Sequence, residues 1–202
     1  PRLKIPRELL DHSSWYSLLQ QNGMRQALTT GAQQDAARAI LGLWIGMPGG
    51  SNVAYNKLRM GIRYPIPEAL DLALVVIEQE GLNNGSLYGF AMQTIGILGG
   101  RPYSRLVASM LDDETVVSRR TVIQNKERIT IEIQLRDVAL GWLVYLTGQD
   151  HDSYWMPQAR NSFQRIRQSP TSTVSVSLMG YDKSGRRTEA MAKWQKYVSQ
   201  HP

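Results

Sequence analysis

Apolar residues recur at helical spacing through most of the chain, and Gly and Pro cut the pattern into short segments. Residues 6–22 carry Leu9, Leu10, Trp15, Leu18 and Leu19, with Pro6 at a first helical position and Asn22-Gly23 as the stop. Residues 24–30 read as a second short helical piece. Residues 32–47 place Ala36, Ala37, Ile40, Leu41, Leu43, Trp44 and Met47 on one wide apolar face, ended by Pro48-Gly49-Gly50. From there to Tyr64 the chain reads as loop-rich, and it carries Tyr55, Lys57, Arg59 and Arg63. Residues 67–80 return to helix, with Pro67 and Glu68 suited to the positive end and Leu70, Leu74 and Ile77 on one face. Gly81 to Gly85 is a turn. Residues 86–98 form another helix, apolar at Leu87, Phe90, Ala91, Thr94, Ile95 and Leu98. Gly89 and Gly96 each cost it about 1 kcal/mol against Ala, which close helix–helix contact explains.

The period changes after a short helix over 102–111. Thr115-Val116-Val117, Thr121-Val122-Ile123 and Ile129-Thr130-Ile131-Glu132-Ile133 are β-branched, and the last run alternates apolar with polar. These runs predict a β-hairpin with a loop of about four residues, Gln124 to Glu127. Helix resumes over 134–147, with Leu135, Val138, Ala139, Trp142, Leu143 and Leu146 on one face. Residues 150–185 are the least regular, with a short helix over 157–168, a Ser/Thr/Val-rich loop over 169–177 and a turn at Gly180 to Gly185. Residues 186–199 close the chain as an amphipathic helix, with Ala190, Met191, Trp194 and Val198 inward.

The two central pairs align with each other. PEALDLALVVIEQEG followed by SLYGFAMQTIGILGG matches RPYSRLVASMLDD followed by QLRDVALGWLVYLTG. Each has an outer helix near a Pro, an acidic exit and an apolar second helix that ends in Gly. Ala91 and Ala139 hold equivalent places, each followed four positions on by Ile95 or Leu143. Residues 6–47 supply a third, degenerate pair. One pair cannot bury both of its apolar faces, so neighbouring pairs must stack.

This pattern resembles HEAT-like helical repeats, whose second helix has an Asp before it, then Val-Arg-x-x-Ala and a Leu-rich tail. Asp112-Asp113 and Leu135-Arg136-Asp137-Val138-Ala139-Leu140 match that frame, split by the hairpin. More narrowly, the chain is similar to a group of bacterial HEAT-like proteins with no assigned reaction. The matching residues are Gly99-Gly100, Asp113-Glu114-Thr115-Val116, Gln134 to Leu140, Leu146-Thr147-Gly148-Gln149, and Arg187 with Ala190-Met191-Ala192-Lys193-Trp194. The match covers about 66–149 and 186–202. The resemblance implies a mainly α fold: an α-α superhelix, HEAT/armadillo-like, of about three helical pairs with a small β-hairpin insert, forming one domain over 1–202 that the last helix caps. Many members of that group are exported or membrane-attached.

Composition narrows the classes. No apolar run approaches the roughly 18 residues that crossing a bilayer takes. There is no signal peptide in these residues and no starting Met, so a trimmed piece or a mature product is expected. With no Cys, disulfides and thiolate chemistry are excluded, and the compartment stays open. The net charge of +6 divides as +5 over 1–65, −5 over 66–115, +3 over 116–170 and +3 over 171–202. An acidic centre between basic flanks is not the continuous basic stripe of a nucleic-acid binder.

Candidate chemistry is sparse. No Ser–His–Asp order, phosphate loop or HExxH occurs, so no catalytic residue, cofactor or metal is expected. Asp150, His151 and Asp152 are metal-donor types, but His12 and His201 do not complete a site, and a capped turn explains them. Arg136-Asp137 has a structural reading as helix-end contacts. The sharper candidates for a partner surface are Arg119, Arg120, Lys126 and Arg128 on the hairpin, whose plainer reading is a charged edge that resists aggregation. Trp155, between Tyr154 and Met156 in the irregular segment, joins them. A protein or peptide partner and a non-enzymatic scaffold role follow. The alternative is nucleic-acid binding, which requires the basic groups of 1–65 and 116–170 to converge on one concave face.

Overall fold

The computed structural model describes residues 12–79, 85–124 and 126–201, and all structural statements below concern these. Ten α-helices and one two-stranded antiparallel sheet make up the described chain. In order they are α1 (His12–Gln20), α2 (Asn22–Thr29), α3 (Gln34–Gly46), α4 (Ser51–Arg63), α5 (Glu68–Gln79), α6 (Gly85–Thr94), α7 (Ser104–Ala108), β1 (Val116–Gln124), β2 (Glu127–Gln134), α8 (Leu135–Leu146), α9 (Pro157–Gln168) and α10 (Ser184–Gln200). The expected helix over residues 6–11 and the turn over 81–84 lie outside the described residues.

From α1 to α6 consecutive helices pack on each other, and α3, α4 and α6 also reach the next but one. α3 packs on α4 and α5, α4 on α5 and α6, and α6 on α8, while α7 lies on α8. Two apolar clusters result. The smaller gathers Leu19, Leu28, Leu41, Trp44 and Ile45 from α1 to α3. The larger runs from Ala54 to Trp194 and centres on α6 and α8. α4 and α5 feed both: Met60 and Ala69 join the smaller, Leu58, Ile62, Ala73 and Val76 the larger. α6 and α8 are buried on nearly every side and mostly apolar around their circumference, as enclosed helices are.

The stretch over 48–64 is not a loop. It is the 13-residue helix α4, entered through Gly50. Asn52, Asn56 and Gly61 are weak helix formers and hide the signal, but Ala54, Leu58 and Ile62 recur every four residues and all are buried. α3 packs on α4 as well as on α2 before it. The apolar face of α3 is narrower than expected, for Ala37, Leu41 and Trp44 are buried while Leu43 is 57% exposed. On α5 the deepest residues are Ala69, Ala73 and Val76, whose small size admits close neighbours, and Leu70, Leu74 and Ile77 are half-buried. On α10, Ala190 and Trp194 are inward as expected, but Val198 is exposed.

α6 ends in a wide π turn, Ile95–Gly99. A Cβ at Gly96 would stand 2.4 Å from the Trp142 ring, so this glycine lets α6 and α8 approach, as its place inside a helix predicts. Gly89 is tight for a different reason: its neighbour is Val176, in a 3-10 turn over Val176–Leu178. α7 is shorter than the 102–111 pattern suggests, because Arg101–Tyr103 form a separate 3-10 turn.

The hairpin is one pair longer than expected. Pairing runs from Val116↔Gln134 to Gln124↔Glu127, with a bulge at Val117. A four-residue loop closing on Ile123↔Arg128 has the same register, so only the loop length changes, to two residues. Lys126 takes a positive φ of 68°, as such tight turns require. The hairpin is anchored at its base. Arg187 of α10 donates from Nε to Asp137 Oδ1 at 2.7 Å and from Nη2 to Asp137 Oδ2 at 2.9 Å. Its Nη2 also donates to Glu132 O at 3.0 Å. Asp137 Oδ2 accepts the Gln134 N–H at 2.9 Å, which caps α8. No described helix is long and apolar enough to cross a membrane.

Candidate functional site

The alternation of β2 turns Ile129, Ile131 and Ile133 toward the body of the protein, with Ile131 and Ile133 buried. Cross-strand partners share a face of the sheet. Arg120 stands opposite Ile131 and Val122 opposite Ile129, so Arg120 is the basic residue on the inner, apolar face. Residues 178–182 lie against that face. A Cβ at Gly180 would meet Ile133 Cγ1 at 2.7 Å and Ile131 Cγ2 at 3.0 Å, so only glycine permits the approach. Beyond it the chain enters α10 through Asp182 and Arg186.

The opposite wall comes from another part of the chain. The 3-10 turn His151–Tyr154 is capped by the Asp150 carboxylate, which accepts the Asp152 N–H at 3.3 Å. It ends at Trp155, whose φ of 56° and ψ of 33° are left-handed, a conformation that L-residues other than Gly rarely take. That reversal sends Met156, Pro157 and Gln158 directly into the first turn of α9. Together these segments line a cleft of about 230 Å³. Its apolar side is Val122, Ile131, Leu178 and Met156 with the indole of Trp155, and its polar side is Arg120, Gln158, Asp182 and Arg186.

The charges in the cleft are unevenly engaged. Asp182 accepts from Arg186 Nη1 at both oxygens, 3.1 and 3.3 Å. Arg120 Nη1 donates to Gln158 Oε1. Arg120 Nε is buried with no hydrogen-bond partner among the described residues. Burial lowers the Arg120 pKa, and the Asp182 carboxylate opposes the shift. Two guanidinium groups and one carboxylate leave the cleft with a net positive charge.

The five residues nominated from the sequence are thus divided. Arg120 and Trp155, far apart in the chain, meet in the cleft. Arg119 lies on the other face of the hairpin, exposed and paired with Glu132 at 2.9 Å. Arg128 and Lys126 are exposed, Arg128 on the outer face and Lys126 in the turn. The hairpin therefore does not present its four basic groups as one patch. Gln158, Asp182 and Arg186 escaped sequence reasoning, since nothing in the turn Gly180 to Gly185 shows that it folds back onto the sheet.

Other candidates serve the fold. Arg136 donates to Glu114 Oε1 and to Gln134 Oε1, both at 2.7 Å. His151 faces inward: its ring stacks on Phe163 at 4.1 Å, and Nε2 lies 2.9 Å from Gly141 O, so the neutral ring donates from Nε2. Burial pushes its pKa down to about 4, against the Gly141 hydrogen bond. Asp150 and Asp152 stay outside and pair with Arg160. Lys57, expected in a loop, is buried under α3. There Nζ donates to Met47 O and lies 5.6 Å from the Trp44 ring, and burial lowers its pKa to about 8.

No family model, curated protein or solved structure matches this chain. The cleft must be read from its own chemistry.

Proposed function

We propose that this protein is a non-enzymatic interaction module of HEAT-like, α-α superhelical design that holds a protein or peptide partner in the cleft beneath its hairpin. The packing order supports the helical-repeat part. α3/α4, α5/α6 and α7/α8 form successive pairs, and contacts between α3 and α5, α4 and α6, and α6 and α8 are those expected where first helices stack on first and second on second. The hairpin then stands as an insert between the two helices of the third pair.

The observation that carries the binding part is the convergence of Arg120 and Trp155 on one cleft with an apolar wall. A half-exposed indole beside an arginine is the composition of interface anchors. A binding role draws more support than a catalytic one. His151 and Asp137, a buried imidazole and a buried carboxylate, are both consumed by structural bonds. Nucleic acid draws less support. Lys57 is buried, Arg38 donates to Tyr64 O at 2.6 Å and Pro65 O at 3.0 Å, and Arg119, Arg136 and Arg160 sit in ion pairs.

Selection of a displayed random peptide library against the protein tests the reading. Enriched peptides should bind the wild type and lose at least about tenfold in affinity for Trp155→Ala, as truncation of an interface anchor does. Equal binding to the variant would move the site elsewhere. No enrichment, together with DNA binding that weakens steeply between about 50 and 200 mM salt, would favour the nucleic-acid alternative.

A further inference from the structure

The chemistry of the cleft narrows the partner, on the assumption that the cleft binds peptides as proposed above. Gln158 takes Arg120 Nη1, while Nε has no partner. Nε lies on the edge of the guanidinium that it shares with Nη2, while the Gln158 bond is made by Nη1. That edge is a planar fork, matched to a carboxylate by two parallel N–H···O hydrogen bonds. The Asp182 carboxylate, bonded to Arg186 Nη1, balances the charge of Arg186, so the net charge left for a ligand is that of one guanidinium. One net positive charge is matched by a monoanion, whereas a dianion such as a phosphate monoester would leave its second charge uncompensated beside the Asp182 carboxylate.

Size and wall composition add the second constraint. At about 230 Å³ the cleft falls below the roughly 300–1,000 Å³ of sites for drug-sized ligands. Val122, Ile131, Leu178 and Met156 beside Trp155 require an apolar group within reach of the same anion. An internal Asp or Glu would bring two continuing backbone arms and would need a neighbouring residue to fill the apolar side. The last residue of a chain has its carboxylate and its side chain on one Cα, with a single backbone arm to lead out.

We infer that the cleft recognises the carboxyl-terminal residue of a partner chain, an apolar residue whose α-carboxylate is held by the Nε–Nη2 edge of Arg120 while its side chain packs against Trp155 and the inner face of the hairpin. This is the one-residue version of terminal-carboxylate capture, built on a side chain instead of a backbone nest.

The test uses the whole chain and three acetylated hexapeptides of neutral Gly/Ser sequence. One ends in Leu as the free acid. The second is the same peptide with a terminal amide. The third is amidated and carries an internal Asp-Leu. The readout is the indole N–H spectrum of the ¹⁵N-labelled protein, with the Trp155 signal identified by its loss in Trp155→Gly. The free acid should shift that signal in a saturable way, and both amidated peptides should bind at least about tenfold more weakly, the loss expected for a charge-assisted hydrogen-bonded pair. Arg120→Gln, checked for folding by its thermal transition, should weaken the free acid by about the same factor and leave the amides unchanged. If Arg120→Gln does not fold, acetate should still displace the free acid from the wild type more effectively than inorganic phosphate does. Equal binding of acid and amide overturns the inference while the peptide-binding reading stands. So does tighter binding of the internal Asp-Leu peptide, or stronger displacement by phosphate. Free acids ending in Leu, Ile, Met and Phe that all fail to shift Trp155, where library-selected peptides succeed, overturn the terminal-residue inference alone. Failure of both sets removes the peptide site as well.

Discussion

Trp155 joins backbone geometry to the site. Its left-handed backbone reverses the chain between the 3-10 turn and α9, and the same reversal leaves the indole 36% exposed at the cleft. A left-handed L-residue costs roughly 1–2 kcal/mol that Gly does not incur. If packing alone mattered at this position, Ala would be the milder replacement, since Gly loosens the unfolded chain. The backbone reverses that order: Trp155→Gly should be more stable than Trp155→Ala by about 1 kcal/mol in urea unfolding. Ala as stable as Gly would mean that the turn is held by something other than this residue's conformation. A glycine, Asn or Asp is the usual mark of such a turn, so the sequence WMPQ hides it, and Trp155 drew attention only as an aromatic in an irregular stretch. Arg120 was more legible. Alternation from Ile129 through Ile133, paired across the loop, places Arg120 on the apolar face and Arg119 on the other. The four basic residues looked like one patch only when the period of two was not carried across the turn.

At the scale of elements, α10 connects the hairpin to the helical body. Arg187 engages Asp137 with two hydrogen bonds and reaches Glu132 O on β2, and the adjacent Arg186 holds Asp182 beside the cleft. Asp137 is fully buried, and burial pushes its carboxyl up against the opposing pull of Arg187 and the Gln134 N–H. Removing only the arginine leaves that carboxyl without its counter-charge in the core. Arg187→Ala should therefore cost about 3–5 kcal/mol in urea unfolding, far more than loss of the exposed Arg119–Glu132 pair, worth about 0–1 kcal/mol. Native-state hydrogen exchange should show β2 amides near Glu132 losing protection in Arg187→Ala. A cost under about 1 kcal/mol would mean that the Asp137 pair adds nothing to the anchoring of α10. The existence of α5, α6, α8, α9 and α10 was readable from apolar period and stops. α4 was not, because Asn52, Asn56 and Gly61 dilute its pattern while Pro48-Gly49-Gly50 announces a loop. The contact between Arg187 and Asp137, fifty positions apart, has no local signature at all.

At the scale of the whole molecule, one cluster sets three aromatic residues against a neutral histidine. Trp142, Tyr145, Phe163 and His151 stack or meet edge-on within the larger cluster, and Gly141 O fixes the imidazole in the tautomer that carries its proton on Nε2. Burial lowers the His151 pKa from 6.5 to about 4, with Arg167 adding to the shift and Gly141 O, Asp150 and Asp152 opposing it. Below pH 6.5 the unfolded chain binds a proton there, and the folded chain does not until about pH 4. The unfolded state therefore holds more protons across that window, and folding stability falls as pH drops through it. The contribution is intact above pH 6.5, declines toward pH 4 and then levels off, with a ceiling of roughly 3 kcal/mol at about 1.4 kcal/mol per pH unit. His151→Gln keeps an N–H for Gly141 O and removes the titration. It should be less stable than the wild type at pH 7.5, because the stack on Phe163 is lost, and its deficit should shrink or reverse by pH 4.5. Urea midpoints for both proteins at pH 7.5, 6.5, 5.5 and 4.5 measure the difference. Carboxylates common to both cancel in it, so a difference that stays constant with pH would place the acid sensitivity of the fold outside this cluster.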